Sequence, residues 1–205
     1  MKLGILGTGQ VGSALAGRLV ALGHDVMVGS RAPQGDKAQA LAAASGARIG
    51  SYEEAAAHGD WVINALPGEA SVPALGACAI AGKILIDIAN YDTAVDQPIL
   101  VPVGQLIQQA FPEVRLVKAL NSVSAHLMAE PARLGRPHSV FVAGNDGAAK
   151  AEVADFLRTL GWEDVIDLGE LAVCRAMEQL IPLWMALERV EGSPGFNLAV
   201  MRQAD

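Results

Sequence analysis

An α/β fold, a doubly wound and mostly parallel sheet with a helical appendage at the C-terminus, is predicted by three observations. Short apolar runs alternate with helical patterns along nearly the whole chain, as strand–helix–strand units require. The first run, KLGILGTGQVG from Lys2 to Gly12, ends in Gly-x-Gly-x-x-Gly at Gly7, Gly9 and Gly12 and leads into the amphipathic stretch Ser13 to Leu22. A length of 205 residues suits one domain with a small addition and is enough to bury a sizeable core.

Taken in order, the apolar runs place strands at 2–6, 25–29, 47–50, 61–66, 83–88, 114–119, 138–143 and 164–168. Helices fall between and after them at 10–22, 36–45, 52–58, 70–79, 104–110, 123–128, 147–160 and 170–190. Residues 1–168 therefore form one nucleotide-binding unit and 169–205 a C-terminal helical segment. The irregular stretch Asn90 to Pro102, with Asp92, Asp96 and Pro98, is expected as a long loop leaving the fifth strand. No internal repeat, low-complexity tract or linker interrupts this order.

The glycine triplet answers a specific demand at the end of a buried strand. Gly7 permits the tight turn, Gly9 lets the backbone approach a pyrophosphate, and Gly12 lets helix and strand pack closely, as in a Rossmann-type dinucleotide fold. The helix N-terminus adds free N–H groups and a positive dipole, so Thr8, Gln10 and Val11 are expected to offer backbone amides to the phosphates.

The second strand selects the dinucleotide. After the turn at Gly23-His24, DVMVG at 25–29 leads into Ser30 and Arg31, where an NAD site places a carboxylate for the ribose hydroxyls. A hydroxyl and a guanidinium both donate to a 2′-phosphate, the guanidinium in a planar fork suited to its oxygens. The expected cofactor is NADP(H). Lys37 is either a third phosphate contact or a solvated charge at a helix start.

Composition excludes other classes. A net charge of −7 and an aromatic content of 4% argue against a nucleic-acid partner. No apolar run reaches the length of a membrane span; Ile80 to Ile88 is broken by Lys83 and Asp87. With neither a membrane span nor a signal-peptide pattern after Met1-Lys2, the expected location is cytoplasmic. Cys78 and Cys174 lie far apart without a Cys-x-x-Cys and are expected as small buried thiols. His24, His58, His126 and His138 show no metal spacing and are expected at the surface or at helix ends; His126 alone lies near the proposed ring site. No metal is expected.

Ligands of such sheets lie at the C-terminal ends of the strands, near the reversal of strand order. At the fourth strand, Ala65, Leu66 and Pro67 allow close passage of pyrophosphate and ribose, although Pro67 also suits a simple turn. The fifth ends at Ala89 and Asn90. The sixth runs out through Lys118 to Val123, and Asn121 and Val123 are expected to face the nicotinamide, with helix capping the other role open to Asn121. Beyond the last strand, Leu171 to Val190 is apolar nearly all round. It is expected to be one long helix, kinked at Pro182 and packed on two sides, with Trp184 and Met185 serving separate contacts, one with its own domain and the other with a partner subunit, as in a homodimer, or with a planar cofactor.

Over essentially its whole length the chain resembles the family of NADPH:coenzyme F-420 oxidoreductases, whose N-terminal fold is shared with the cytosolic domain of membrane ferric reductases. The resemblance is carried by GILGTGQVGSALAGRLVALGHDVMVGSR at 4–31, KALNSVSAHLM at 118–128 and LAVCRAMEQLIPLWMAL at 171–187. It implies that Thr8, Gly9, Gln10 and Val11 hold the pyrophosphate and that Ser30, Arg31 and Lys37 hold the 2′-phosphate. Asn121 and Val123 then flank the nicotinamide and the face of a deazaflavin. Archaeal members resemble ALHTIPA at this place, so Asn121 stands where they have His and Ser124 where they have Pro. The loop from Asn90 to Phe111 departs too.

The expected activity is hydride transfer between NADPH and a small-molecule acceptor that is flavin-like, either coenzyme F-420 or a flavin. Two stacked rings need no strong acid or base, and no Ser/His/Asp order or paired-carboxylate motif is present. The alternatives are a non-catalytic NADPH-binding sensor and a small-substrate dehydrogenase or imine reductase. The last places its substrate against a large helical second domain, for which the residues after 168 are expected to be too few unless a partner chain completes it.

Overall fold

A computed structural model describes residues 1–92 and 100–203. Asp96 and Pro98 of the expected long loop lie outside the described residues. The strands are β1 (Lys2–Leu6), β2 (Asp25–Gly29), β3 (Arg48–Gly50), β4 (Trp61–Asn64), β5 (Ile84–Asp87), β6 (Arg115–Ala119), β7 (Ser139–Ala143) and β8 (Asp164–Asp167). They form one sheet in the order β3-β2-β1-β4-β5-β6-β7-β8, with the reversal between β1 and β4. The doubly wound prediction is met.

One pairing departs from the parallel rule. β6 and β7 are antiparallel, so β7 and β8 run against the other six strands. The connection explains this. A parallel crossover needs a helix long enough to carry the chain back along the sheet, and here only α6 (Ala125–Ala129) and a 3-10 turn at Pro131–Leu134 stand between the strands. Five residues rise roughly 7.5 Å, about half the length of a five-residue strand.

The other helices are α1 (Gln10–Ala21), α2 (Asp36–Ser45), α3 (Tyr52–His58), α4 (Gly68–Leu75), α5 (Val103–Ala110), α7 (Gly147–Leu160), α8 (Cys174–Gln179) and α9 (Ile181–Glu191). Alternate residues of each central strand face two cores. Leu3 and Ile5 pack with Leu15 and Leu19 of α1, while Leu6 and Val62 pack with Ala55, Leu75 and Ile107 on the opposite face. Gly4 is required there because a Cβ would stand 2.1 Å from the Ala55 carbonyl oxygen. α3 carries a complete capping box, Ser51 and Glu54 each bonding the other's backbone N–H.

The single long helix expected at 170–190 is divided. A 3-10 turn at Leu171–Val173 precedes α8, and α9 starts at Ile181 with Pro182 in its first turn. Pro182 has no N–H to donate, so the helix restarts where that donor has no intrahelical partner. Leu171 and Cys174 join the second core, whereas no residue of α9 is buried. Trp184 packs against Phe196 of the tail at 5.4 Å between centroids, and its buried Nε1 has no partner among the described residues. The tail then lies along β7, where the Ser139 N–H donates to the Leu198 carbonyl. Among the described residues no helix is long and apolar enough to cross a membrane.

Candidate functional site

A crevice of about 580 Å³ runs across the C-terminal ends of β1, β2, β4 and β5, beside the strand reversal. Three strand ends meet at Gly7. Its N–H donates to the Gly29 carbonyl, its φ is +117°, and a Cβ there would lie 2.7 Å from the Ala65 carbonyl oxygen. Gly12 is closed off too, since its Cβ would sit 2.0 Å from the Gly7 carbonyl oxygen. Gly9 differs. A Cβ there meets nothing within 4 Å, so that face of the turn is free for a ligand. α1 has no side-chain cap and no acidic residue in its first turn, which leaves its N–H groups and dipole directed at the crevice.

Thr8, Val11, Ser30, Arg31, Lys37, Ala65, Leu66, Pro67, Ala89 and Asn90 line this crevice together with Gly7 and Gly9. Gln10 is exposed and opens α1, but only its neighbours line the crevice. Ser30 is buried and its Oγ accepts from the Ala32 N–H, which leaves the hydroxyl proton to donate. Arg31 and Lys37 are exposed beside it. Sequence reasoning missed six lining residues, Ala32, Gly35, Asp36, Ala38, Tyr52 and Ile88, of which two carry polar side chains. Asp36 adds a negative charge next to Lys37, and Tyr52, first residue of α3, brings its phenol to the same wall as the Arg31 guanidinium. Partial burial pushes that phenol above its usual range, so Tyr52 is a neutral donor.

The ends of β4, β5 and β6 carry a second arrangement that the sequence reading did not join. Asn64, Asp87 and Lys118 are register neighbours across three parallel strands, and all three are buried. Asn64 Nδ2 donates to Asp87 Oδ1 at 2.9 Å and Lys118 Nζ to Asp87 Oδ2 at 2.9 Å. Lys118 Nζ also lies 3.0 Å from Glu178 Oε1 of α8 and donates to the Ala89 carbonyl. Burial disfavours its charge, but Asp87 and Glu178 more than offset this and hold its pKa above the usual lysine range. The available signal was a polar residue at the C-terminal end of each of three otherwise apolar runs.

Asn121 and Val123 do not line the crevice, although Asn121 is bonded to its wall residue Asn90. Val123 is buried in the first core. Asn121 Nδ2 donates to Asn90 Oδ1 and to the Met177 carbonyl, both at 3.0 Å, while Asn90 Nδ2 donates to the Asn121 carbonyl at 2.7 Å. Ser124, not Asn121, occupies the cap position of α6. His138 corrects the surface expectation: it is buried edge-on to Trp162 at 4.7 Å and bonded to Asn197 and the Pro131 carbonyl. Burial raises the thiols of Cys78 and Cys174 to about 11.

Comparisons with known proteins agree with this geometry. Residues 2–91 match the family model described as NADP oxidoreductase, coenzyme F420-dependent. The F420-dependent NADP reductase of Methanocaldococcus jannaschii is 30% identical over 98% of this chain and 98% of its own. The metalloreductase STEAP3 of Rattus norvegicus is 33% identical over 89% of this chain, which spans only 38% of that longer protein. The crystal structure of a candidate F420-dependent NADP reductase from Arthrobacter sp. FB24 superposes with a TM-score of 0.91 at 40% identity, covering 98% of this chain and 100% of that one. By its glycine turn, its crevice and its similarity to the Methanocaldococcus and Arthrobacter proteins over 98% of its length, the chain belongs to the family of F420-dependent NADP oxidoreductases.

Proposed function

We propose that the protein transfers hydride between NADPH and a flat acceptor, the deazaflavin coenzyme F-420 or a flavin. The observation that carries this reading is one continuous crevice with phosphate donors at one end and the tip of β5 at the other. NADPH supplies the hydride at its nicotinamide ring; everything else asked of the chain is binding and orientation. The residues fit that cofactor. The turn from Gly7 to Gly12, with the amides of Thr8, Gln10 and Val11, holds the pyrophosphate, and Gly9 leaves room for it. Ser30, Arg31 and Lys37 hold the 2′-phosphate, with the Tyr52 phenol on the same wall beside Arg31. Ala65, Leu66, Pro67, Ala89 and Asn90 form the wall along which the ribose lies, and Asn121 and Val123 support the ring end from behind.

In this reading residues 1–168 bind the nucleotide and 169–205 complete the acceptor side. Leu183 and Val190 of the unburied helix α9 are exposed, and there a second copy docks to form a homodimer. The test is anaerobic mixing of NADPH-loaded protein with coenzyme F-420, FMN, FAD and ferric chelates while nicotinamide absorbance is followed. Rapid loss with F-420 or a flavin is expected. Tight NADPH binding with no acceptor reduced above background would make the protein a sensor instead.

A further inference from the structure

The hydride-transfer reading makes no use of the charged groups buried behind Ala89 and Asn90. Lys118 and Asp87 are completely buried, and Glu178 is 2% exposed. Glu178 comes from α8, yet its two oxygens also accept from the N–H groups of Val103 at 2.8 Å and Gly104 at 3.1 Å, the first residues of α5. One carboxylate thus closes a helix N-terminus and an ion pair at once, and the surplus negative charge meets the positive end of the α5 dipole. The preceding residue, Met177, accepts from Asn121 Nδ2. The last turn of α8 is therefore bonded to the tip of β6 at two successive residues.

The backbone between those bonds is strained. Leu120 has φ +60°, the single non-glycine residue in the left-handed region among the described residues, and its side chain is buried. Such a conformation persists only where the surroundings over-determine it. Buried ion pairs are often matched or surpassed in stability by apolar residues of similar volume. What this one adds is orientation.

We propose that Glu178 is a positioning residue for hydride transfer: by joining Lys118 on β6 to the N-terminus of α5, it fixes α8 and, through Met177, the Asn121 amide behind the ring end of the crevice. The proposal rests on the reading of function above. Its contacts are remote from Ser30, Arg31 and the glycine turn, so loss of Glu178 loosens the ring end alone.

Glu178→Gln keeps the shape and one acceptor, shared by Lys118 and the Gly104 N–H, but removes the charge and sets an amide N–H₂ against the Val103 N–H. Glu178→Asp keeps the charge on a stem too short for both partners, and it serves if the first variant is poorly folded. NADPH affinity is expected to stay within about twofold, while single-turnover transfer to coenzyme F-420 or FMN falls roughly ten- to hundredfold, the scale of a small misplacement of reacting groups. Emission from bound NADPH should shift toward that of the free cofactor, and amides 174–179 should exchange faster; neither readout depends on the acceptor. Wild-type emission and transfer in both variants would overturn the proposal. So would affinity falling in parallel with rate, which marks general loosening. If the wild-type protein binds no NADPH, the reading of function falls and this proposal with it.

Discussion

Arg31 and Ser30 follow β2 directly and line the crevice. Arg31→Ala is expected to weaken NADPH binding by about 1.5–3 kcal/mol with little change for NADH, measured by paired calorimetric titrations. Equal losses for both nucleotides would remove Arg31 from the phosphate site. Tyr52 belongs to the same cluster but was not legible. It starts a helix two elements later, and only the pairing of β3 with β2 brings its phenol to Arg31. Tyr52→Phe keeps the ring against Gly29 and removes the hydroxyl beside the guanidinium, a donor open to the phosphate, so NADPH affinity should fall by about 0.5–1.5 kcal/mol while NADH affinity is held. A matching loss for NADH would give Tyr52 an adenine role rather than a phosphate role.

At the scale of elements, the strand–turn–helix from β1 to α1 separates binding from folding within six residues. Gly9→Val places its side chain in open space, so the melting temperature should be near that of the wild type while both NADPH and NADH binding are lost. Gly12→Ala forces a methyl group within 2.0 Å of the Gly7 carbonyl oxygen and must move α1 away from β1, so stability and binding fall together. Thermal melts with nucleotide titrations distinguish the two. A bound Gly9 variant would put the pyrophosphate elsewhere. These glycines were readable because their constraint lies within one turn of chain. The break between α8 and α9 was only partly readable: Pro182 announced a discontinuity, but its place was decided by packing, since Leu171 and Cys174 are drawn into the core and α9 is not.

Across the whole molecule, the Asn64–Asp87–Lys118–Glu178 network ties three strands to α5 and α8. Lys118→Met leaves two buried carboxylates without their counter-ion and is expected to cost about 3–5 kcal/mol in urea unfolding at neutral pH. Because the folded pKa of Lys118 is raised, its contribution is complete below the unfolded lysine value of about 10.4 and is lost as pH rises through the higher folded value. The gap between wild type and variant should therefore narrow only in strong alkali. A gap constant through that range would mean the ammonium is not what stabilises the site. By itself the sequence determined the alternation of strands and helices, the glycine turn after β1 and the expectation of NADP(H), because each is encoded in neighbouring residues or in a short period along the chain. The tertiary structure alone decided the antiparallel turn into β7, the burial of His138 against Trp162 and Asn197, and the meeting of Lys118 with Glu178. Those depend on register and on which helix is too short to cross the sheet. Such contacts join residues far apart in the chain, and no local pattern specifies them.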